Sequence, residues 1–262
     1  MTFQNVVNKE LAKYLPGMIT RDNPTTIVPY FAEGDNCKAG GFALPGTNAE
    51  QQVKGSDENA TAIVGLIART PYQVNLTGTS SDLFNEGAEL TIVKKGYVAV
   101  EINSGANLND NVFVDPDTGL INASSSSSIS ATAGKLIFAN ANGTYTNYTS
   151  ITSGDLSLKV DGTAKDLTGL DFSSATSMSD VAGVITTALS SSATCAYNSS
   201  TGLTITSATT GKTSSVEFVS STALATLLGT GVSVAGAGAM INTGWKVNKA
   251  CDNGEITEIY NI

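Results

Sequence analysis

Apolar and polar side chains alternate along several short stretches of the chain, and this period of two is typical of β-strands with one buried face. Residues 97–102 show it most clearly, because Val98, Val100 and Ile102 share one face. The stretch 89–93 has the composition of a partner strand, and the Lys-Lys-Gly segment between the two predicts a hairpin turn. These stretches predict a sheet in the first half of the chain.

A second hairpin is predicted over 112–121, where Pro116 fixes φ for a turn and Gly119 closes it. Strand-like segments return in 236–262, on both sides of an Asp-Asn-Gly turn. Because an isolated hairpin is only marginally stable in water, we expect this last segment to complete the sheet that begins near residue 61.

The pattern becomes helical in the middle of the chain. Val181 and Ile185 lie at helical spacing, and Ser177 followed by Asp180 matches a capping box, which predicts a helix over 178–190. Short strands are predicted around it at 156–160, 164–167, 194–197, 203–206 and 215–219. This mixture predicts a small α+β domain.

Together these elements predict a mainly β protein: a discontinuous β-sandwich or barrel-like domain with an inserted small α+β domain. The predicted divisions are an N-terminal arm at 1–30, a β domain at 31–150 plus 236–262, and the inserted domain at 151–235.

Residues 1–60 contain four prolines, several glycines and few periodic segments, which predicts an arm followed by irregular or edge structure. Val7, Leu11 and Tyr14 fall on one face at helical spacing before Pro16 ends the pattern. A short amphipathic helix and an extended arm both fit this segment.

Composition excludes several classes of function. The 262 residues carry a net charge of −9, which disfavours binding to a phosphate backbone. The chain has no histidine, so histidine-dependent catalytic triads and histidine-ligated metal sites are excluded. The sequence shows neither a signal peptide nor an apolar run long enough to span a membrane, and we expect a soluble protein.

The remaining motifs do not predict a chemical site. Cys37, Cys195 and Cys251 are far apart and fit buried thiols of a chain made in a reducing compartment. Gly211-Lys212-Thr213 lacks the upstream glycine of a phosphate-binding loop, and the turn at 115–119 lacks the glutamate that completes a calcium loop. The sequence therefore predicts no catalytic residue, no cofactor and no metal.

An ordered set of segments at both ends of the chain resembles the structural cement, or capsid decoration, proteins of tailed bacteriophages. The segments are Met1-Thr2-Phe3-Gln4-Asn5, Leu15-Pro16-Gly17, Gly34-Asp35, Ala39-Gly40-Gly41-Phe42-Ala43, Gly65-Leu66-Ile67-Ala68-Arg69, Glu86-Gly87, Val98-Ala99-Val100, 112–121, Gly244-Trp245-Lys246-Val247 and Gly254-Glu255-Ile256. Within the insertion, 160–163, 168–173 and 209–211 are similar to a small module of phage tail sheath-like proteins. Ordinary cement proteins lack such an insertion.

The resemblance implies a non-enzymatic structural protein on the outer surface of the virion, synthesised in the cytoplasm of a bacterial host. It implies that the chain binds the major capsid protein and cements the expanded shell. It also implies binding to further copies of itself, with a homotrimer favoured and a dimer as the alternative. The acidic charge and the short apolar runs predict binding to neither nucleic acid nor membrane. The expected capsid contacts are Phe3, Val6, Leu11, Tyr14 and Arg21.

Two other classes of function fit the sequence. One is a receptor- or glycan-binding protein on the virion surface, with the insertion as its binding module. The other is a structural component of the tail or baseplate.

Overall fold

The structure is a computed structural model and describes residues 14–70, 82–139 and 144–262. Its elements in chain order are β1 (Ile19–Ala32), β2 (Phe42–Pro45), β3 (Gln52–Lys54), β4 (Gly65–Ile67), β5 (Glu89–Ile102), β6 (Asn111–Val114), β7 (Ile121–Ser124), β8 (Lys135–Phe138), a 3-10 helix (Tyr145–Asn147), β9 (Gly154–Val160), β10 (Thr163–Leu170), α1 (Met178–Leu189), β11 (Ala193–Asn198), β12 (Gly202–Ser207), β13 (Val216–Ser220), α2 (Ala225–Leu228), β14 (Val232–Val234), β15 (Ile241–Val247) and β16 (Glu255–Asn261). The prediction of a mainly β protein is confirmed.

The chain divides into two compact units, and the second is inserted into the first. The first unit contains the chain up to Ile129 and from Met240 to Ile262, and the second contains Ser130–Ala239. The insertion therefore starts earlier than the predicted residue 151. The reason is β8, which pairs with β12 and β14 of the second unit rather than with the first unit.

In the described part of the first unit, nine strands form one sheet in the order β1-β3-β2-β4-β5-β16-β15-β6-β7. Because β1 also pairs with β5, the first five strands of this order close into a ring. The predicted hairpin at 112–121 is confirmed as β6 and β7, and the C-terminal strands join the same sheet as expected. Trp245 is buried in the core of this unit, in a T-shaped contact with the Phe42 ring.

The predicted hairpin turn at residues 94–96 is wrong, because β5 runs without a turn from Glu89 to Ile102. Its two halves have different neighbours: β4 pairs with Ile92 and Val93, whereas β16 pairs with 96–102. Gly96 has a φ of 142°. Because glycine tolerates this φ, β5 is irregular at Gly96, where the register of β1 against β5 also shifts. The chain does not reverse its direction there.

The predicted arm at 1–30 is also corrected in its second part. Residues from Ile19 onward belong to β1, which pairs with β5 from Ile19 to Phe31. Side chains at alternate positions of β1 face the core, since Ala32 is buried and Tyr30 packs against the same core cluster. Burial of this face explains why the segment pairs as a strand. Pro24 and Pro29 are accommodated within β1, because most of this strand pairs on one side only.

The second unit contains two sheets and the predicted helix. The sheets have the strand orders β10-β9-β13 and β11-β12-β8-β14 among the described residues. Helix α1 begins after Ser177, whose side chain accepts a hydrogen bond from the Asp180 amide, so the predicted cap is confirmed. Val181 and Ile185 of α1 are buried in a core that includes residues of both sheets. Neither described helix is long and apolar enough to cross a membrane.

Asp161 joins three segments of the second unit at the turn between β9 and β10. Its carboxylate accepts hydrogen bonds from the Ser207 and Thr209 hydroxyls and from the Ser215 amide, at 2.8–3.0 Å. Partial burial acts to raise the pKa of Asp161, but these donors outweigh it and the pKa is lowered. The amides of Thr222 and Ala223 lower the pKa of Asp155 in the same way.

Acid is therefore expected to destabilise the second unit. A carboxylate whose pKa is lower in the folded state stabilises the fold at pH values above its unfolded-state pKa. That stability is lost as the pH falls through its folded-state pKa. We expect the thermal midpoint to fall as the pH drops below about 4. D161N should lower the midpoint at neutral pH and reduce its further loss in acid; circular dichroism melts over a pH series measure both. If acid lowers the thermal midpoint of D161N as much as that of the unmodified chain, the role of Asp161 is contradicted.

Candidate docking surface on the first strand

The structure describes two of the five predicted contact residues. Phe3, Val6 and Leu11 lie outside the described residues. Tyr14 is half-buried and immediately precedes the turn that leads into β1, and Arg21 lies within β1. The described part of the predicted contact region therefore consists of Tyr14 and the first strand.

Arg21 is fixed to the sheet by a buried acid. Its Nη2 atom lies 2.7 Å from Oε1 of Glu258 on β16, whose side chain is 7% exposed while that of Arg21 is 50% exposed. Thr20 and Asn248 also donate to the Glu258 carboxylate. Since a carboxylate buried without partners is costly, these donors explain how the sheet tolerates Glu258, and they hold the start of β1 in place.

Two tyrosines extend this site. The guanidinium carbon of Arg21 lies 4.1 Å from the centroid of the Tyr97 ring, within the range of a cation–π contact. Tyr97 stacks on Tyr260, with 5.8 Å between ring centroids and 23° between ring planes. The Tyr260 hydroxyl donates to Asn109 at 3.0 Å. Arginine and tyrosine held rigidly at a surface have the composition of protein–protein binding hot spots.

A second exposed feature of β1 is apolar. Ile27 and Phe31 are 54% and 50% exposed, and Pro29 between them is exposed as well. The three side chains lie on one face of the strand, because alternate residues of a strand point the same way. We call Ile27, Pro29 and Phe31 the β1 stripe. Exposed apolar groups in a row are typical of a surface that another molecule covers.

The outer edge of β1 is unsuited to pairing with a further strand. Among the described residues, β3 pairs only with Phe31 and Ala32, while the rest of β1 pairs with β5 alone. Pro24 and Pro29 have no N–H group, and prolines of this kind protect edge strands. The β1 stripe can therefore dock through its side chains, whereas addition of a strand along this edge is disfavoured.

A cavity of about 460 Å³ lies in the described part of the first unit. Lys38 and Glu101 in its lining lie 3.8 Å apart, and Asp35 accepts a hydrogen bond from the Glu86 amide. The described lining residues include neither a cysteine nor a histidine. Lys38 and Glu101 pair with each other and Asp35 binds a main-chain amide, an arrangement that does not match a nucleophile with its base.

The cysteines and acids of the described residues do not point to a metal or to covalent chemistry. Burial raises the pKa of the Cys37 thiol to about 11 and that of Cys195 to about 12, so both remain protonated near neutral pH. Within 14–70, 82–139 and 144–262, no group of three metal-ligating side chains comes together.

Sequence reasoning missed the β1 stripe and the two tyrosines of this surface. Ile27 and Phe31 follow an alternating pattern that could have indicated one strand, but the nearby prolines led to an arm that ends at residue 30. Tyr97 and Tyr260 are brought together by the pairing of β5 with β16, which places them directly opposite each other. No local pattern in the sequence reveals that pair.

The comparisons with known proteins concern mainly the insertion. Residues 131–241 match a family model described as the insert domain of the E217 tail sheath protein gp31. The match coincides closely with the second unit, Ser130–Ala239. It supports a phage structural protein and does not single out the cement family.

Among solved structures, the chain is similar to one from "The capsid of Myoviridae Phage XM1". The TM-score is 0.39 and the sequence identity 16%, over 48% of this chain and 81% of that chain. No curated protein matches the chain.

Proposed function

We propose that this protein is a non-enzymatic structural protein of the virion that binds the outside of the phage capsid and cements the expanded shell. The observation that carries the proposal is that β1, anchored through Arg21 and Glu258, presents the exposed β1 stripe. An anchored strand loses little conformational entropy on docking, and burial of its apolar side chains stabilises the complex.

The contacts that we propose are those of the N-terminal segment, namely Phe3, Val6, Leu11, Tyr14 and Arg21, together with the β1 stripe. The proposed partners are the major capsid protein and further copies of the chain, with the homotrimer favoured by the resemblance and the dimer as the alternative. Many copies on one shell bind with an avidity that a single contact lacks.

Replacing the β1 stripe tests this function. I27S/F31S is expected to weaken binding to expanded shells about 30-fold or more, because each side chain loses about 1 kcal/mol of apolar burial. Co-sedimentation with shells stripped of this protein measures bound copies against free concentration.

The matched control is L108S/L120S, which changes two leucines of the first unit that are 59% and 48% exposed. The control should bind as the unmodified chain does. Equal binding by I27S/F31S and the control would remove the β1 stripe from the capsid contact.

A second candidate function is a structural component of the tail, and the match of residues 131–241 to a tail sheath insert domain favours it. That match is confined to the insertion, whereas the segments that resemble cement proteins lie in the first unit. The same sedimentation assay with purified tails separates the two functions.

A further inference from the structure

The second unit has four sheet edges among its described strands, and three of them are protected against pairing with another chain. These edges are β10, β13, β11 and β14. Strand β10 carries Lys165 and Asp166, and β13 carries Glu217. Charges on an edge strand oppose the approach of a further strand.

The edge of β11 is covered by helix α1 instead. The Cys195 amide donates to the Thr186 hydroxyl at 2.8 Å, and the same hydroxyl lies 2.9 Å from the Cys195 carbonyl oxygen. One side chain of α1 therefore binds the main-chain groups that Cys195 turns outward.

Strand β14 lacks both kinds of protection. Residues 218–245 contain no Asp, Glu, Lys, Arg or Pro. Val232 and Val234 are 57% and 47% exposed, and Ser233 between them is exposed as well. An uncharged, exposed edge with β-branched residues is a template for pairing with another strand.

The register shows which main-chain groups of β14 point outward. Cys195, Ile205, Leu136 and Ser233 form one row across the four strands. In an antiparallel sheet, the residues of a row alternate between bonded and non-bonded pairs. The main-chain groups of Cys195 point away from β12, so the Cys195–Ile205 pair is not hydrogen-bonded. Ile205 and Leu136 therefore form a hydrogen-bonded pair, and Leu136 and Ser233 do not. The N–H and C=O of Ser233 consequently point to the open edge.

We propose that β14 pairs antiparallel with the β14 strand of a second copy of this chain, across a two-fold axis at Ser233. Ser233 and the partner's Ser233 exchange both N–H···O hydrogen bonds, and each Val232 lies opposite a Val234. The pairing continues the four-stranded sheet of one copy into that of the other.

The charge of the chain favours a second copy as the occupant. Two copies that each carry −9 repel, and this repulsion is least where the facing segments are uncharged, as 218–245 is. The edge carries no charge that a basic or acidic partner could complement. The strand is also self-complementary about Ser233, which a two-fold contact requires.

This inference specifies the self-association within the proposed function, and it makes the dimer the species expected in solution. A single short strand buries less than the roughly 800 Å² per partner of a standard interface, so we expect a weak, concentration-dependent dimer.

Disulfide trapping in the full-length chain tests the pairing and its register. Directly opposed, hydrogen-bonded residues have Cα atoms about 5.5 Å apart, which lies within the range of a disulfide. S233C is expected to form a covalent dimer under mild oxidation. V219C is the control, because Val219 is 53% exposed on β13, outside the proposed contact. Equal trapping of the two variants, or none of S233C, would overturn the proposal.

A proline variant tests the main-chain hydrogen bonds. S233P removes an N–H that β8 does not use, so the unit should keep its fold, as circular dichroism can verify. Sedimentation equilibrium should show self-association weakened about tenfold or more, while S233A associates as the unmodified chain does. Unchanged association of S233P would contradict the pairing. Both assays use the chain alone in solution, so their outcome is distinct from failure to bind capsids.

Discussion

W245A is expected to destabilise the first unit by about 3–5 kcal/mol, the range for removing a large aromatic side chain from a packed core. Trp245 is 1% exposed, and its ring makes a T-shaped contact with that of Phe42, with 6.2 Å between centroids. It lies on β15 and packs in the same cluster as Val98 and Val100 of β5. The substitution therefore leaves a cavity between strands that are far apart in sequence.

Urea unfolding followed by circular dichroism measures this effect in the transition of the first unit. L108A is the control, because Leu108 is 59% exposed in the same unit and its loss should cost less than about 0.5 kcal/mol. A cost below about 1 kcal/mol for W245A would show that the core is not built around this residue.

The second large effect concerns the limits of the insertion. A fragment of residues 130–239 is expected to fold by itself, whereas 151–235 is expected to remain unfolded. The shorter fragment lacks β8, which lies between β12 and β14 in the four-stranded sheet. It also loses Leu136 and Phe138, which are 0% and 1% exposed. Removing two buried side chains and the central ladder costs more than the stability of a typical small domain.

Cooperative thermal unfolding and dispersed amide resonances identify the folded fragment. F138A within 130–239 provides an intermediate case, with a loss of about 3–5 kcal/mol but no change in the backbone. Cooperative unfolding of 151–235 would show that β8 is dispensable and would support the boundary predicted from the sequence.

The elements predicted correctly are those whose signals are local. Helix α1 has its cap at Ser177 and its apolar residues within one short segment, so no distant contact is needed to recognise it. The β6–β7 hairpin is determined by a proline and a glycine in its own turn. Such signals depend on the conformations of neighbouring residues and do not require distant contacts.

The errors occurred where distant partners decide the structure. Gly96 permits a turn or an irregular strand equally well, and the pairing of β5 with β1 and β16 selects the strand. The apolar segment 135–138 forms β8, and its sequence does not show that its partners are β12 and β14. The stacking of Tyr97 on Tyr260 likewise depends on a register between remote segments.

The candidate surface was predicted only in part, for the same reason. Arg21 was identified in the sequence, yet its buried partner Glu258 lies at the other end of the chain. The exposure of Ile27 and Phe31 follows from which face of β1 the barrel buries, and the sequence alone does not determine that face.

The central claim is that this protein binds the expanded capsid, and the most direct test is its binding to purified particles. Expanded shells stripped of the protein, unexpanded shells and tails are each mixed with the full-length chain and sedimented, and the bound copies per particle are counted. We expect saturable binding to expanded shells only, at a copy number set by icosahedral symmetry, and weaker binding of a chain that lacks residues 1–13. Binding to tails with expanded shells left bare would contradict the account and establish a tail component instead.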